Sequence, residues 1–113
     1  MELSALTAIS PIDGRYGDKS AGLRPIFSEF GLIRHRVLVE VRWLRMLADH
    51  PGIADIPKLG EHAINVLEDI VKNFSIEDAQ RVKNIERSTN HDVKAVEYFL
   101  KEKIAGNAEL EAV

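Results

Sequence analysis

Between Ile33 and Leu47 large apolar side chains return every three or four residues, at Ile33, Val37, Val41, Leu44 and Leu47. An α-helix gathers that spacing onto one face, whereas a strand needs strict alternation. The pattern predicts one long helix over 28–49. Ser28 suits its N-cap, and Glu29 suits the positive first turn. Val39 and Trp43 add a second apolar flank, so cover on more than one side is expected. Trp43 is most simply core; the other possibility is a subunit contact, where tryptophan is enriched. Arg34, Arg36, Arg42 and Arg45 keep the remaining surface wet. The run stops at His50-Pro51-Gly52, because Pro51 disfavours helix at the residue before it.

The same period recurs downstream. Ala63, Ile64, Leu67, Ile70, Val71 and Phe74 stripe a second helix over 59–73. Ser75-Ile76-Glu77-Asp78 has the form of a capping box and opens a third over 75–86, with Ala79 and Val82 inward. The polar stretch Glu86-Arg87-Ser88-Thr89-Asn90 reads as a loop. A fourth helix then starts on Thr89 and runs to Ile104, with Val93, Val96, Leu100 and Ile104 as its stripe. Gly106-Asn107 supplies a stop, after which Leu110, Ala112 and Val113 resume an apolar rhythm. Pro11, Gly14 and Gly17 make residues 1–19 an irregular arm, with a short helical turn expected at 20–24, before Pro25. No stretch alternates as a strand does. The expectation is an all-α chain forming one small helical domain over 1–113.

Composition narrows the function classes. Fifteen basic against 18 acidic residues give a formal charge of −3, which argues against a nucleic-acid binder while leaving room for a small anionic ligand. No cysteine is present, so disulfides and thiolate metal sites are excluded, compatibly with a reducing cytoplasm. Met1-Glu2-Leu3-Ser4 lacks the basic start of a signal peptide. Glu40, Arg42 and Arg45 break the most apolar stretch, so no membrane span is expected. No glycine-rich phosphate loop occurs. His35, His50 and His62 have no partner at metal-ligand spacing, and no metal site is expected.

Two polar stretches are candidate sites. In Arg87-Ser88-Thr89-Asn90-His91-Asp92-Val93-Lys94 a loop enters a helix, and the free N–H groups and positive dipole end of a helix start attract anions. Arg87 and Lys94 would add full charge, Thr89, Asn90 and Asp92 specific hydrogen bonds, and His91 a group that titrates near neutrality. An ordinary capped helix start, with Thr89 as cap and Asp92 at N3, also accounts for these residues, and chemistry alone favours it. Arg15-Tyr16 lies in a glycine-flanked loop, where a guanidinium beside a phenol can hold a phosphate or carboxylate. The plainer alternative is a surface arginine and a tyrosine anchoring the arm.

These residues also carry a likeness. Ser10-Pro11-Ile12-Asp13-Gly14-Arg15-Tyr16-Gly17-Asp18-Lys19 resembles the start of bacterial adenylosuccinate lyases. Val39-Glu40-Val41-Arg42-Trp43-Leu44 is similar to their first long helix, and Ile85 through Lys101 to their first signature region. The resemblance implies the fumarase/aspartase-type fold, of which this would be the N-terminal helical domain without the long central helix bundle. It implies a cytoplasmic homotetramer that needs no cofactor or metal and cleaves adenylosuccinate, or the succinyl adduct of aminoimidazole carboxamide ribotide, by β-elimination of fumarate. It assigns substrate binding to Arg15, Tyr16, Asn90, His91, Asp92 and Lys94, with His91 as a positioning or proton-transfer group. It further implies that the second and third signatures, which carry the catalytic acid and base, lie beyond residue 113. The fragment alone would then be inactive. The alternative of the same ancestry is a non-catalytic helical module that binds a partner protein.

Overall fold

The computed structural model describes all residues from Met1 to Val113 and contains helices and turns with no strand. It divides into two compact units, Met1–Leu32 and Ile33–Val113.

In the first unit, residues 1–16 form a chain of turns. Thr7 ties them, donating from its hydroxyl to the Glu2 carbonyl and accepting from the Ser4 N–H at 2.8 Å. Helical turns follow as α1 (Gly17–Ser20), a 3₁₀ turn (Ala21–Leu23) and α2 (Arg24–Phe27). They reach past the expected 20–24, because Pro25 sits in the first turn of α2, where its missing N–H costs nothing. Leu3, Leu6, Ile9 and Phe27 are all at least 80% exposed, so this unit has no apolar core of its own.

Helix α3 (Glu29–Asp49) begins in the first unit and forms the first long element of the second. Its stripe Ile33, Val37 and Val41 is buried, and Ala48 closes it. Trp43 is 55% and Val39 63% exposed, so the core assignment for Trp43 does not hold. Position 43 falls two residues past Val41, about 200° round the helix and away from the buried stripe. With Met46, also exposed, the two form a second apolar stripe at i, i+4, i+7. Arg45 is not free in water. It donates to Glu68 at 2.5 Å, and Arg42 reaches the same carboxylate at 3.4 Å.

Helix α4 (Glu61–Lys72) presents Ala63 and Leu67 to Val41, Ala48, Leu59 and Leu110, a buried cluster flanked by Leu44, Ile64, Val71, Leu100 and Ile104. Leu110 lies on α7 (Ala108–Glu111), a single turn, and is fully buried. Glu109 beside it accepts the N–H of Gly60, the N-cap of α4, at 2.6 Å, a favourable place for a negative charge.

Helices α5 (Ile76–Thr89) and α6 (Asp92–Ile104) form an antiparallel hairpin. Lys103 meets Asp78 at 3.1 Å and Arg81 meets Glu102 at 2.5 Å, joining the start of one helix to the end of the other. Between them lie Ala79, Val82 and Ile85 on α5 and Ala95, Val96 and Phe99 on α6. Val93, expected inward, is exposed. Val96 is buried as expected and Leu100 and Ile104 pack against the core, while Ala95 and Phe99 widen the buried face and only the first turn at Val93 faces solvent. Gly106, at φ +90°, takes the left-handed conformation that ends α6.

The capping box is formed. Asp78 N–H donates to Ser75 Oγ at 3.2 Å, and Ser75 N–H donates to Asp78 Oδ2 at 3.0 Å. Partial burial pushes the Asp78 carboxyl up, but the Ser75 N–H and Lys103 outweigh it and hold it below its usual value. The unfolded chain therefore takes up this proton first, at about pH 3.9. The stabilisation is present above that range and is lost as pH falls through the lower folded value. Replacing Ser75 by alanine should cost about 1 kcal/mol at neutral pH. Asp78→Asn should flatten the acid limb of a melting-temperature profile; an unchanged acid limb would deny Asp78 this role.

Candidate functional site at the α5–α6 junction

Helix α5 runs three residues beyond the expected Glu86, through Arg87, Ser88 and Thr89. Polarity alone does not end a helix. What ends it is Asn90 at φ 50°, ψ 29°, a left-handed conformation that asparagine tolerates, with its N–H donating to Glu86 O at 2.8 Å. The junction is therefore two residues long, and the cap of α6 is His91, not Thr89. His91 is extended, and its Nδ1 accepts the Lys94 N–H at 3.1 Å. Lys94, not Asp92, therefore stands at N3. Thr89 braces the turn: its hydroxyl accepts the His91 N–H at 3.3 Å and donates to the His91 carbonyl at 3.0 Å.

Asp92 is engaged twice. Oδ1 accepts the Val93 N–H at 2.8 Å, and Oδ2 pairs with Arg36 of α3 at 2.9 Å. The Val93 N–H and then Arg36 hold its carboxyl below the usual range, so it is an anion at neutral pH and ties the start of α6 to α3. Arg36 was not among the expected site residues; a contact spanning 56 residues leaves no local signal. Lys94 turns away from the junction. Its ammonium pairs with Glu97 at 2.9 Å and lies 5.6 Å from the Tyr98 ring, and Glu97 raises its pKa. The i,i+3 spacing of Lys94 and Glu97 makes that pair legible.

Arg87 and Asn90 line an open cleft of about 530 Å³ with Gln80, Lys83 and Glu86. Lys83 and Glu86 pair across it at 2.9 Å. This wet, polar surface suits a solvated anion better than an apolar ligand. Asn90, His91 and Asp92 are thus adjacent and exposed, while the Lys94 side chain is committed elsewhere.

Arg15 and Tyr16 belong to the first unit. The Arg15 guanidinium lies 5.2 Å from the centroid of the Tyr16 ring. Tyr16 anchors the arm through its backbone, donating to Pro11 O at 2.8 Å and accepting from Lys19 and Ser20, both at 3.0 Å. Both side chains are exposed. The cleft in this unit, about 430 Å³ and lined in part by Ile12, Leu23, Arg24 and Phe27, includes neither of them.

No family model matches the chain. Individual relatives do. It is 64% identical over all 113 residues to the adenylosuccinate lyase of Escherichia coli K12 and 60% identical over the same length to that of Vibrio cholerae. The Legionella pneumophila (strain Corby) enzyme of that name is 47% identical over 112 residues. Over its whole length the chain is thus similar to part of proteins named adenylosuccinate lyase. The likeness covers at least 99% of the chain in these three cases, so both Arg15-Tyr16 and the α5–α6 junction lie within the matched span. The chain spans about a quarter of the length of these relatives, 25% in each.

Proposed function

We propose that the chain is the N-terminal part of an adenylosuccinate lyase, a carbon–nitrogen lyase of AMP and IMP biosynthesis. The full-length enzyme releases fumarate from adenylosuccinate, leaving AMP, and from the succinyl adduct of aminoimidazole carboxamide ribotide. In such a β-elimination a base removes the proton beside a carboxylate, the C–N bond breaks, and an acid protonates the departing nitrogen. Identity of 64% over every residue is the observation that carries this proposal.

Within it, Arg15 and Tyr16 hold the anionic end of the nucleotide, and Asn90, His91 and Asp92 supply hydrogen bonds at the junction. Lys94 has a supporting part, since Glu97 and Tyr98 already take up its charge. The acid and base come from the rest of the full-length chain, which acts as a cytoplasmic homotetramer without cofactor or metal, each site drawing on three subunits. The exposed stripe Val39, Trp43 and Met46 supports an assembled state, because tryptophan and methionine are enriched where subunits meet.

The purified 113-residue chain should release no fumarate from adenylosuccinate above the uncatalysed rate. Turnover by the pure chain, abolished by His91→Ala, would overturn the division of labour proposed here. The exposed apolar residues of the first unit and of α3 favour a second reading, a helical module that binds a partner protein. It requires that Arg15→Ala and His91→Ala leave lyase activity of the full-length protein intact.

A further inference from the structure

We infer that Arg36, on α3, is a positioning residue for the α5–α6 junction, holding Asn90 and His91 in place through its ion pair with Asp92. The inference rests on the nucleotide-binding function proposed above and adds to it a residue that does not touch the ligand.

Packing holds one end of α6 and leaves the other to this pair. Ala95, Val96 and Phe99 are buried, and Leu100 and Ile104 pack on the cluster that includes Val41 of α3. The first turn is different, since Asp92, Val93 and Lys94 are all exposed. Apolar contact therefore does not set where the helix start sits. Arg36 does, with Nη1 2.9 Å from Asp92 Oδ2. Its own backbone is fixed, because Ile33 one turn before it and Val37 directly after it are buried. Asp92 Oδ1 meanwhile accepts the Val93 N–H, so the hold of Arg36 passes to the backbone of α6. Only Asn90 and His91 lie between α5 and α6, and so short a link cannot keep its place when the helix after it moves.

Stability does not account for the pair. Its side chains are 29% and 49% exposed, and ion pairs in contact with water contribute little to folding. A second pair of this kind, Arg81–Glu102, closes the far end of the hairpin, away from the junction. What distinguishes Arg36–Asp92 is its place beside Asn90 and His91. Groups that grip a ligand need support good to a fraction of an ångström, and a misplacement of about 1 Å can cost as much as 100-fold. The pair also offsets the Asp92 charge, so an anionic ligand does not meet an uncompensated carboxylate.

Steady-state fumarate release by the full-length protein tests this. Arg36→Met removes the charge and keeps most of the side-chain length. It should raise KM for adenylosuccinate about tenfold and change kcat by less than about twofold, the mark of lost binding. Arg36→Lys should recover part of the loss, since an ammonium keeps the charge. Arg36→Met combined with Asp92→Asn should be no worse than the worse single variant, because both break one interaction. Arg81→Met, at the far end, should leave both parameters unchanged. Arg36→Met and Arg81→Met should each melt within about 2 °C of the parent. A fall in kcat at constant KM marks a smaller folded fraction, a merely structural role, and overturns the inference. Losses that add in the double variant also overturn it, since Arg36 would then act without Asp92. So does an equal rise of KM in Arg81→Met, since any loosening of the hairpin would then suffice.

Hydrogen exchange of the full-length protein without ligand needs no substrate. In Arg36→Met the amides of 90–95 should exchange several-fold faster and those of 79–85 at the parent rate. An unchanged junction overturns the inference. If exchange behaves as expected but the parent releases no fumarate from adenylosuccinate, the hold of Arg36 on the junction stands and the nucleotide-binding proposal fails.

Discussion

Phe99→Ala is expected to destabilise the chain by about 3–5 kcal/mol, the usual cost of emptying a buried aromatic site. Phe99 is 1% exposed and meets Phe74 edge to face, with ring centroids 5.7 Å apart. It is the largest of the fully buried side chains. The neighbours on α5, Ala79 and Val82, are short and cannot swing in to fill the gap. A small domain is stable by roughly 5–15 kcal/mol in total, so this one change removes a large share and should lower the melting point by about 15 °C. Thermal unfolding followed by far-ultraviolet circular dichroism measures it. A drop of only a degree or two would mean that the α5–α6 hairpin does not carry the fold.

Arg15→Ala in the full-length enzyme should raise KM for the nucleotide by about 10–100-fold, the equivalent of one charge-assisted hydrogen bond to an anion. Melting should not move, because Arg15 is exposed and lies against the exposed Tyr16 ring. Arg15→Lys should recover part of the loss, since an ammonium supplies charge but not the planar fork. A fall in kcat at constant KM would instead point to contacts made only in the transition state. Steady-state fumarate release over a range of substrate concentrations separates these outcomes, and no change in either parameter would remove Arg15 from the site.

Much of this was legible from residue spacing. The buried stripe of α3, the capping box at Ser75 and the end of α6 at Ile104 follow from short-range rules, and each lies where those rules place it. The α5–α6 junction was legible as a polar helix start but not in detail. Thr89 is the better cap by residue preference, yet His91 takes the position because Asn90 alone adopts the left-handed turn that ends α5. Arg36 was invisible as a partner of Asp92, since nothing within a few residues of either announces the other. Trp43 shows a further limit. Apolar character predicts burial somewhere, whereas the helix phase set by Val37 and Val41 decides that it is not in this core.

The turn that carries Glu109 and Leu110 has a consequence for how the polypeptide comes to be folded as it is made. The α5–α6 hairpin joins segments close in the chain and can assemble as soon as both have left the ribosome, whereas Leu59, Ala63 and Leu67 are sealed by a residue more than forty positions later. At roughly 5–20 residues per second, translation leaves the part of that face which Leu110 covers, and α3 does not, exposed for seconds, and during that interval it is open to a chaperone or to another nascent chain.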